Sequence, residues 1–280
     1  MAREDAPRAA LVGEVSPRLG EAELTFLARD PIDLALARRQ HANYRQVLAD
    51  AGLEVVVVPT DADQPDGVFV EDTVVVVEDT AVLTRPGAAV RRPEVARVRP
   101  LLADRGLAIV AIEPPGTLDG GDVLQVGTTA YVGRTTRTNA AGVEQLARHL
   151  AALGRRVVPV EIDGALHLKT AATSLPDGAI VAEPRWVDVA AFRDREVITV
   201  PEPAGANLLL LDDAVVVSAR APVTAELVTA RGFEVVTIDL SELEKAEAGP
   251  TCLSVLLPPV RDRSESPHPD PGSAGAVRPA

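Results

Sequence analysis

The chain has 280 residues, 46% of them hydrophobic but only 2% aromatic, and its 41 acidic and 28 basic side chains leave a net charge of −13. So negative a surface works against nucleic acid and anionic membranes as partners and mildly attracts a small cationic ligand. With so few aromatics the core has to be aliphatic.

In chain order, a first helix is expected over 32–51, where apolar residues recur at helical spacing. Strands follow at 53–58 and 74–77. A second helix, 93–104, opens on Pro93 and leads to strands at 107–112 and 123–126. A third, 138–153, starts on Thr138 and Asn139 and stops at Gly154, which are good end signals. Strands at 157–160, 197–200, 208–211 and 214–217 precede a fourth helix, 223–231, ended by Gly232. Strands at 234–238 and 252–257 complete the set. These runs are rich in Val and Ile and bounded by Gly, Pro, Asp and Asn. Beyond them, 258–280 is rich in Pro, Ser, Gly and charge and buries too little to order itself. The expectation is one catalytic domain over 1–257 and a disordered tail over 258–280.

The order hairpin, helix, strand repeats. Polar motifs recur at comparable places: FVED at 69–72, LDGGD at 118–122, LHLK at 166–169, GAN at 205–207 and TCLS at 251–254. Their spacing, roughly 40 to 50 residues, is that of a propeller-type repeat. Five such units closed in a ring would aim five motifs at one axis. An ordinary α/β sheet with accidental spacing is the competing reading.

Cys252 is the single cysteine, so neither an intrachain disulfide nor a thiolate metal cluster is expected. A lone cysteine is commonly a small buried hydrophobe; as a nucleophile it needs a base or a cation nearby. His41 and His149 fall in helices and His268 in the tail. His167 alone sits between apolar residues, and strand alternation would put it on one face with Lys169. Its pKa class makes it the best general acid or base available. Asp119 and Asp122 flank a Gly-Gly pair: either a plain hairpin turn, or Asp119 orients His167 while Asp122 helps line a pocket. Asp66, Glu71 and Asp72 form a second acidic group entering an apolar strand, which is costly without a cationic partner. Arg91 and Arg137 could each clamp a carboxylate in bidentate fashion, or be surface charges. Together these describe a site for an arginine-like amino acid. Residues 1–20 carry scattered charge and no apolar core, unlike a secretory leader, and no apolar run approaches the roughly 20 residues of a membrane helix. A lone thiol fits a reducing compartment, so a cytoplasmic protein is expected.

Several motifs, in the same order, closely resemble the dimethylarginine dimethylaminohydrolase family: PD at 65–66, FVED at 69–72, TRPG at 84–87 with Arg91 and Arg92, TLDGGDVL at 117–124, RTN at 137–139, LHLK at 166–169, ELEK at 242–245, and TC at 251–252 with SVL at 254–256. The resemblance spans about residues 10 to 257. It implies a five-bladed α/β propeller of pseudo-symmetric ββαβ repeats around a central active site. It also implies hydrolysis of methylated arginines to citrulline through a covalent thiouronium. By position, Cys252 would be the nucleophile, His167 the general acid/base and Asp119 its orienting carboxylate. Asp66, Asp72 and Glu71 would bind the guanidinium or the amino group, and Arg91 and Arg137 the carboxylate. Leu24 would be the residue of a mobile lid. Leu253 stands where some relatives carry a second cysteine, and the loop 246–250 departs from the family pattern. No metal or cofactor is implied, the partner is a small cationic amino acid, and a homodimer is compatible with this reading. An arginine deiminase, another guanidino-compound hydrolase and a catalytically silent propeller are the alternatives. A reactive Cys252 would alkylate fast and be protected by arginine analogues.

Overall fold

The structure, a computed structural model, describes residues 8–212 and 214–259; most of the tail expected over 258–280 lies outside them. Among the described residues there are five sheets of three strands. Each has the same build: an inner strand antiparallel to a middle strand, which is parallel to an outer one. The first runs Val74–Val77, Thr80–Leu83, Ala108–Ala111 and the second Val123–Val126, Thr129–Arg134, Arg156–Glu161. The third is Ala172–Ser174, Ile180–Ala182, Val197–Thr199 and the fourth Leu209–Leu211, Ala214–Ser218, Glu234–Ile238. The fifth joins the two ends of the chain: Ser254–Leu257 pairs with Ala9–Gly13, which pairs with Glu54–Val58.

A helix packs between the middle and outer strands of four units: α1 (Leu34–Asp50), α2 (Val95–Asp104), α3 (Ala140–Ala151) and α5 (Pro222–Ala230). The third unit departs from the repeat and has only the short 3-10 turn Val189–Phe192. The four long helices match the expected ones to within two residues at each end, because their boundaries are encoded locally. Asp33 caps α1 by accepting from the Ala35 and Leu36 N–H groups at 2.9 and 3.0 Å, and Asn139 caps α3 through the Gly142 N–H at 2.8 Å; such caps are each worth about 1 kcal/mol.

The buried apolar residues fall into five clusters, and each joins two neighbouring units. Val75, Val77 and Val82 of the first sheet pack on Val123, Ala130 and Val132 of the second. Leu175 and Val181 of the third pack on Val215 and Val217 of the fourth. Ala9, Leu11 and Val255 of the fifth meet Val74 and Leu83 of the first, which closes the ring. Fully burying a Leu or Val contributes about 1.5–3 kcal/mol, so each unit depends on both its neighbours.

All five inner strands line one axial cavity of about 240 Å³. Each is preceded by a single helical turn: Val70–Thr73, Gly120–Asp122, α4 (Leu168–Ala171), Pro203–Ala206 and Pro250–Leu253. The five polar motifs occupy these turns, so the ring gathers them at one end of its axis. No helix among the described residues is long and apolar enough to cross a membrane.

Candidate active site

His167 stands immediately before α4, with extended backbone (φ −134°, ψ 163°). This differs from the expected strand: Lys169 lies within the helical turn, and the two side chains do not share a strand face. The turn is held by Asp122, whose Oδ1 accepts from the Leu168 N–H at 2.9 Å and whose Oδ2 accepts from the Thr135 hydroxyl at 2.7 Å. Asp122 is therefore the clamp that places His167 and does not line the cavity, as had been expected. Burial raises its pKa to about 6.

The His167 ring is 3% exposed and lies between two carboxylates. Its Nε2 is 3.0 Å from Asp119 Oδ2 and its Nδ1 is 3.7 Å from Asp72 Oδ1. Asp119 is fully buried and is fixed from its other oxygen by the Gly87 N–H at 2.9 Å. Burial works against the imidazolium, but Asp72, Asp119 and Asp122 outweigh it and lift the His167 pKa to about 9. The ring is protonated at neutral pH, with Nε2 committed to Asp119 and Nδ1 turned to the Asp72 side.

Asp72 is held from three directions. Its Oδ2 accepts from Arg91 Nη1 at 2.6 Å and its Oδ1 from the Gly121 N–H at 3.0 Å, while His167 adds its charge. Burial opposes the charge on Asp72, yet the cations keep its pKa below the usual range. Arg91 is spent within the wall: it also donates to Glu94 at 2.9 Å and to the Phe69 carbonyl at 3.0 Å. Donor atoms of Asp72, Asp119 and His167 lie within 4.8 Å of one another, close enough for a metal by distance alone. Arg91 already binds Asp72 Oδ2, and Asp119 Oδ2 already binds His167 Nε2, so the atoms a metal would take are occupied by protein partners.

Cys252 lies in the turn Pro250–Leu253, not in the strand expected at 252–257, which begins at Ser254. Tyr44 of α1 anchors this turn by donating to the Pro250 carbonyl at 2.8 Å. Asn207 adds a two-way tie to Thr251: its Nδ2 donates to Oγ1 at 3.1 Å and its Oδ1 accepts from the N–H at 3.0 Å. Burial, with Glu71 and Asp72 nearby, pushes the Cys252 thiol up to about 12. In the free protein the thiol is 9% exposed, and burial with the acidic neighbours works against the thiolate that alkylation needs.

One small cavity, about 20 Å³, brings these groups together. Cys252 and His167 line it with Asp66, Asp72, Arg91 and Arg137. Glu23, Phe69, Leu166 and residues 246–248 complete the wall. Two expected residues are placed elsewhere. Glu71 lines the axial cavity, where it is bound by Lys169 Nζ at 2.6 Å and the Thr251 hydroxyl at 3.0 Å. Leu24 is half-buried, and its neighbour Glu23 meets the cavity instead. A larger apolar cavity of about 370 Å³ shares Leu166, Glu247 and Ala248 with this one but holds neither Cys252 nor His167.

The family model described as N,N dimethylarginine dimethylhydrolase, eukaryotic, matches residues 28–182. A dimethylarginine dimethylaminohydrolase of Streptomyces coelicolor is 45% identical over 249 residues, covering 89% of this chain and 96% of that protein. The chain belongs to the dimethylarginine dimethylaminohydrolase family. The Pseudomonas aeruginosa enzyme is 34% identical over 232 residues, covering 80% of this chain and 89% of that one. A cysteine-to-serine variant of dimethylarginine dimethylaminohydrolase from P. aeruginosa, complexed with citrulline, superposes with a TM-score of 0.82 at 30% identity, covering 90% of this chain and all of that one. Its five-unit ring is thus the five-bladed α/β propeller of the family. Cys252 and His167 were singled out by residue type and local pattern, and the resemblance gave them their roles. The contributions of Glu23, Glu94 and Glu247 had no sequence signal, since each depends on partners far away along the chain.

Proposed function

We propose that this chain hydrolyses Nω-methylated arginines to citrulline and the methylated amine. The observation that carries this reading is the shared cavity. A neutral thiol, a protonated imidazole and the Asp72 and Asp66 carboxylates face one space, with two guanidinium groups at its wall.

The sign of the Cys252 shift is informative. Burial first, and the Glu71 and Asp72 carboxylates after it, hold the thiol protonated in the free protein. A substrate guanidinium placed between Asp72 and Cys252 offsets the carboxylates' field and favours the thiolate, the thiol proton leaving to solvent as substrate binds. Sulfur then attacks the guanidinium carbon and a C–S bond forms. The tetrahedral adduct collapses with cleavage of the C–N bond to the methylated nitrogen. His167 Nδ1 delivers the proton that nitrogen takes as it leaves. The imidazole, now neutral and oriented by Asp119, takes a proton from water, which attacks the thiouronium carbon. Collapse of this second adduct breaks the C–S bond, and the proton lost as its hydroxyl becomes the citrulline carbonyl restores the Cys252 thiol. Proton transfer of this kind is worth roughly 10²–10⁴-fold. The scheme draws on side chains and water alone. Asp66 meets the substrate amino group and Arg137 the carboxylate, while Arg91 stays bound to Asp72 and Glu94 in the wall. The lone thiol and the −13 charge support a cytoplasmic setting, and the closed ring supports one catalytic unit over 1–257.

Incubation with asymmetric dimethylarginine, beside arginine as a second substrate, tests the assignment. Citrulline and dimethylamine are expected in equal amounts, with arginine giving little ammonia. Preferential release of ammonia from arginine would make the chain a deiminase.

A further inference from the structure

The catalytic cavity has room for about one water. An amino acid enters only if part of the wall moves. Segment 23–27 borders the cavity through Glu23. Phe26 and Leu27 are 49% and 50% exposed, so apolar burial does little to fix it.

One carboxylate supplies most of the attachment. The N–H groups of Thr25, Phe26 and Leu27, three in succession, donate to Glu247 at 3.1, 2.5 and 2.7 Å. Hydrogen bonds from neutral donors to an ionised acceptor are about twice as strong as neutral pairs. The remaining ties are few. The Glu23 N–H donates to Asp66 at 3.2 Å, and Arg137 Nη2 donates to the Thr25 hydroxyl at 3.2 Å. Both of those partners line the cavity, so the segment is its cover. The nearby Lys245 is taken by Glu242 and the Pro31 carbonyl and does not compete for Glu247.

Glu247 also adopts a backbone conformation that side chains rarely take, with φ at 61°. Such strain persists only where the surroundings over-determine it, and it concentrates at functional positions. Here it turns the carboxylate toward the cover while Ala246 and Ala248 on either side line the cavity. The same loop runs on to Gly249, whose N–H donates to Cys252 Sγ at 3.3 Å.

We propose that Glu247 is a positioning residue that latches segment 23–27 over bound substrate. The inference rests on the hydrolase reading above. It assigns to Glu247 no contact with the reacting atoms.

Two variants and one exchange measurement test it. Asn suits a positive φ but is too short to span the gap, whereas Gln keeps both the length and an acceptor. In wild-type protein the amides of Thr25, Phe26 and Leu27 should exchange at least tenfold more slowly than in a free peptide, despite their exposed side chains. E247N should release that protection and lower kcat/KM for asymmetric dimethylarginine on the order of tenfold, mainly through KM. E247Q, which keeps the length and one acceptor but not the charge, should fall between wild type and E247N on both readouts, and the thermal midpoints should agree. Free-peptide exchange at 25–27 in wild type overturns the proposal, and so does equal loss in E247Q and E247N. If the hydrolase reading itself fails, wild type shows no turnover, while the exchange rates still report on the latch.

Discussion

Cys252→Ser is expected to stop citrulline release altogether while leaving the substrate bound. The hydroxyl is isosteric, so the cavity, the carboxylates and the two arginines stay in place. What disappears is an atom that can become an anion next to a guanidinium. The thiol already sits near 12 in the free protein because of burial and acidic neighbours, and a serine hydroxyl starts far higher. The His167 ring, protonated and with Nε2 bound to Asp119, cannot act as the base a hydroxyl would need. The turnover rate should fall on the order of 10⁴-fold or more. Calorimetric titration of the variant with asymmetric dimethylarginine should still show a saturable heat. Activity within tenfold of wild type would remove Cys252 from the mechanism.

Gly121→Ala should also cost much of the activity, for a purely steric reason. A Cβ built there falls 2.6 Å from His167 Nδ1 and 2.8 Å from Asp72 Oδ1. Neither neighbour is the far end of a flexible chain. The ring is held by Asp119 at 3.0 Å, and Asp72 by Arg91 at 2.6 Å and by the Gly121 N–H itself. Something must shift by several tenths of an ångström, and a misplacement of about 1 Å in a reacting group costs about 10²-fold. The turnover number of the folded variant should fall roughly that far. Gly20→Ala, where an added Cβ meets nothing within 4 Å, is the matched control and should be silent. A Gly121→Ala enzyme within fivefold of wild type would show that the imidazole position is not critical.

The parts of this fold legible from sequence are those fixed by neighbours in the chain. Strands Val74–Val77, Val123–Val126 and Glu234–Ile238 coincide with the expected ones, because runs of β-branched residues between turn residues need no distant information. Ala172–Ser174 and Ile180–Ala182 have three residues each, too few for any periodicity. Ala9–Gly13 is fully buried with an Ala-rich sequence, and it becomes a strand only by entering between Ser254–Leu257 and Glu54–Val58. The same limit separates the site residues. Cys252, His167 and Asp72 were legible as a set from residue type, with their roles given by the family resemblance, whereas Glu71 and Asp122 were assigned to the cavity because acidity alone does not reveal direction. Glu71 turns to Lys169 in the axial cavity and Asp122 to the turn after His167. Glu247 gave no signal, since its three donors come from the opposite end of the chain.

The covalent step is the most direct thing to observe. Enzyme mixed with excess asymmetric dimethylarginine, quenched in acid within the first turnovers and digested, should yield the Cys252 peptide heavier by the substrate less one dimethylamine. A Cys252 peptide of unchanged mass at every quench time, while citrulline accumulates, would contradict attack by its sulfur.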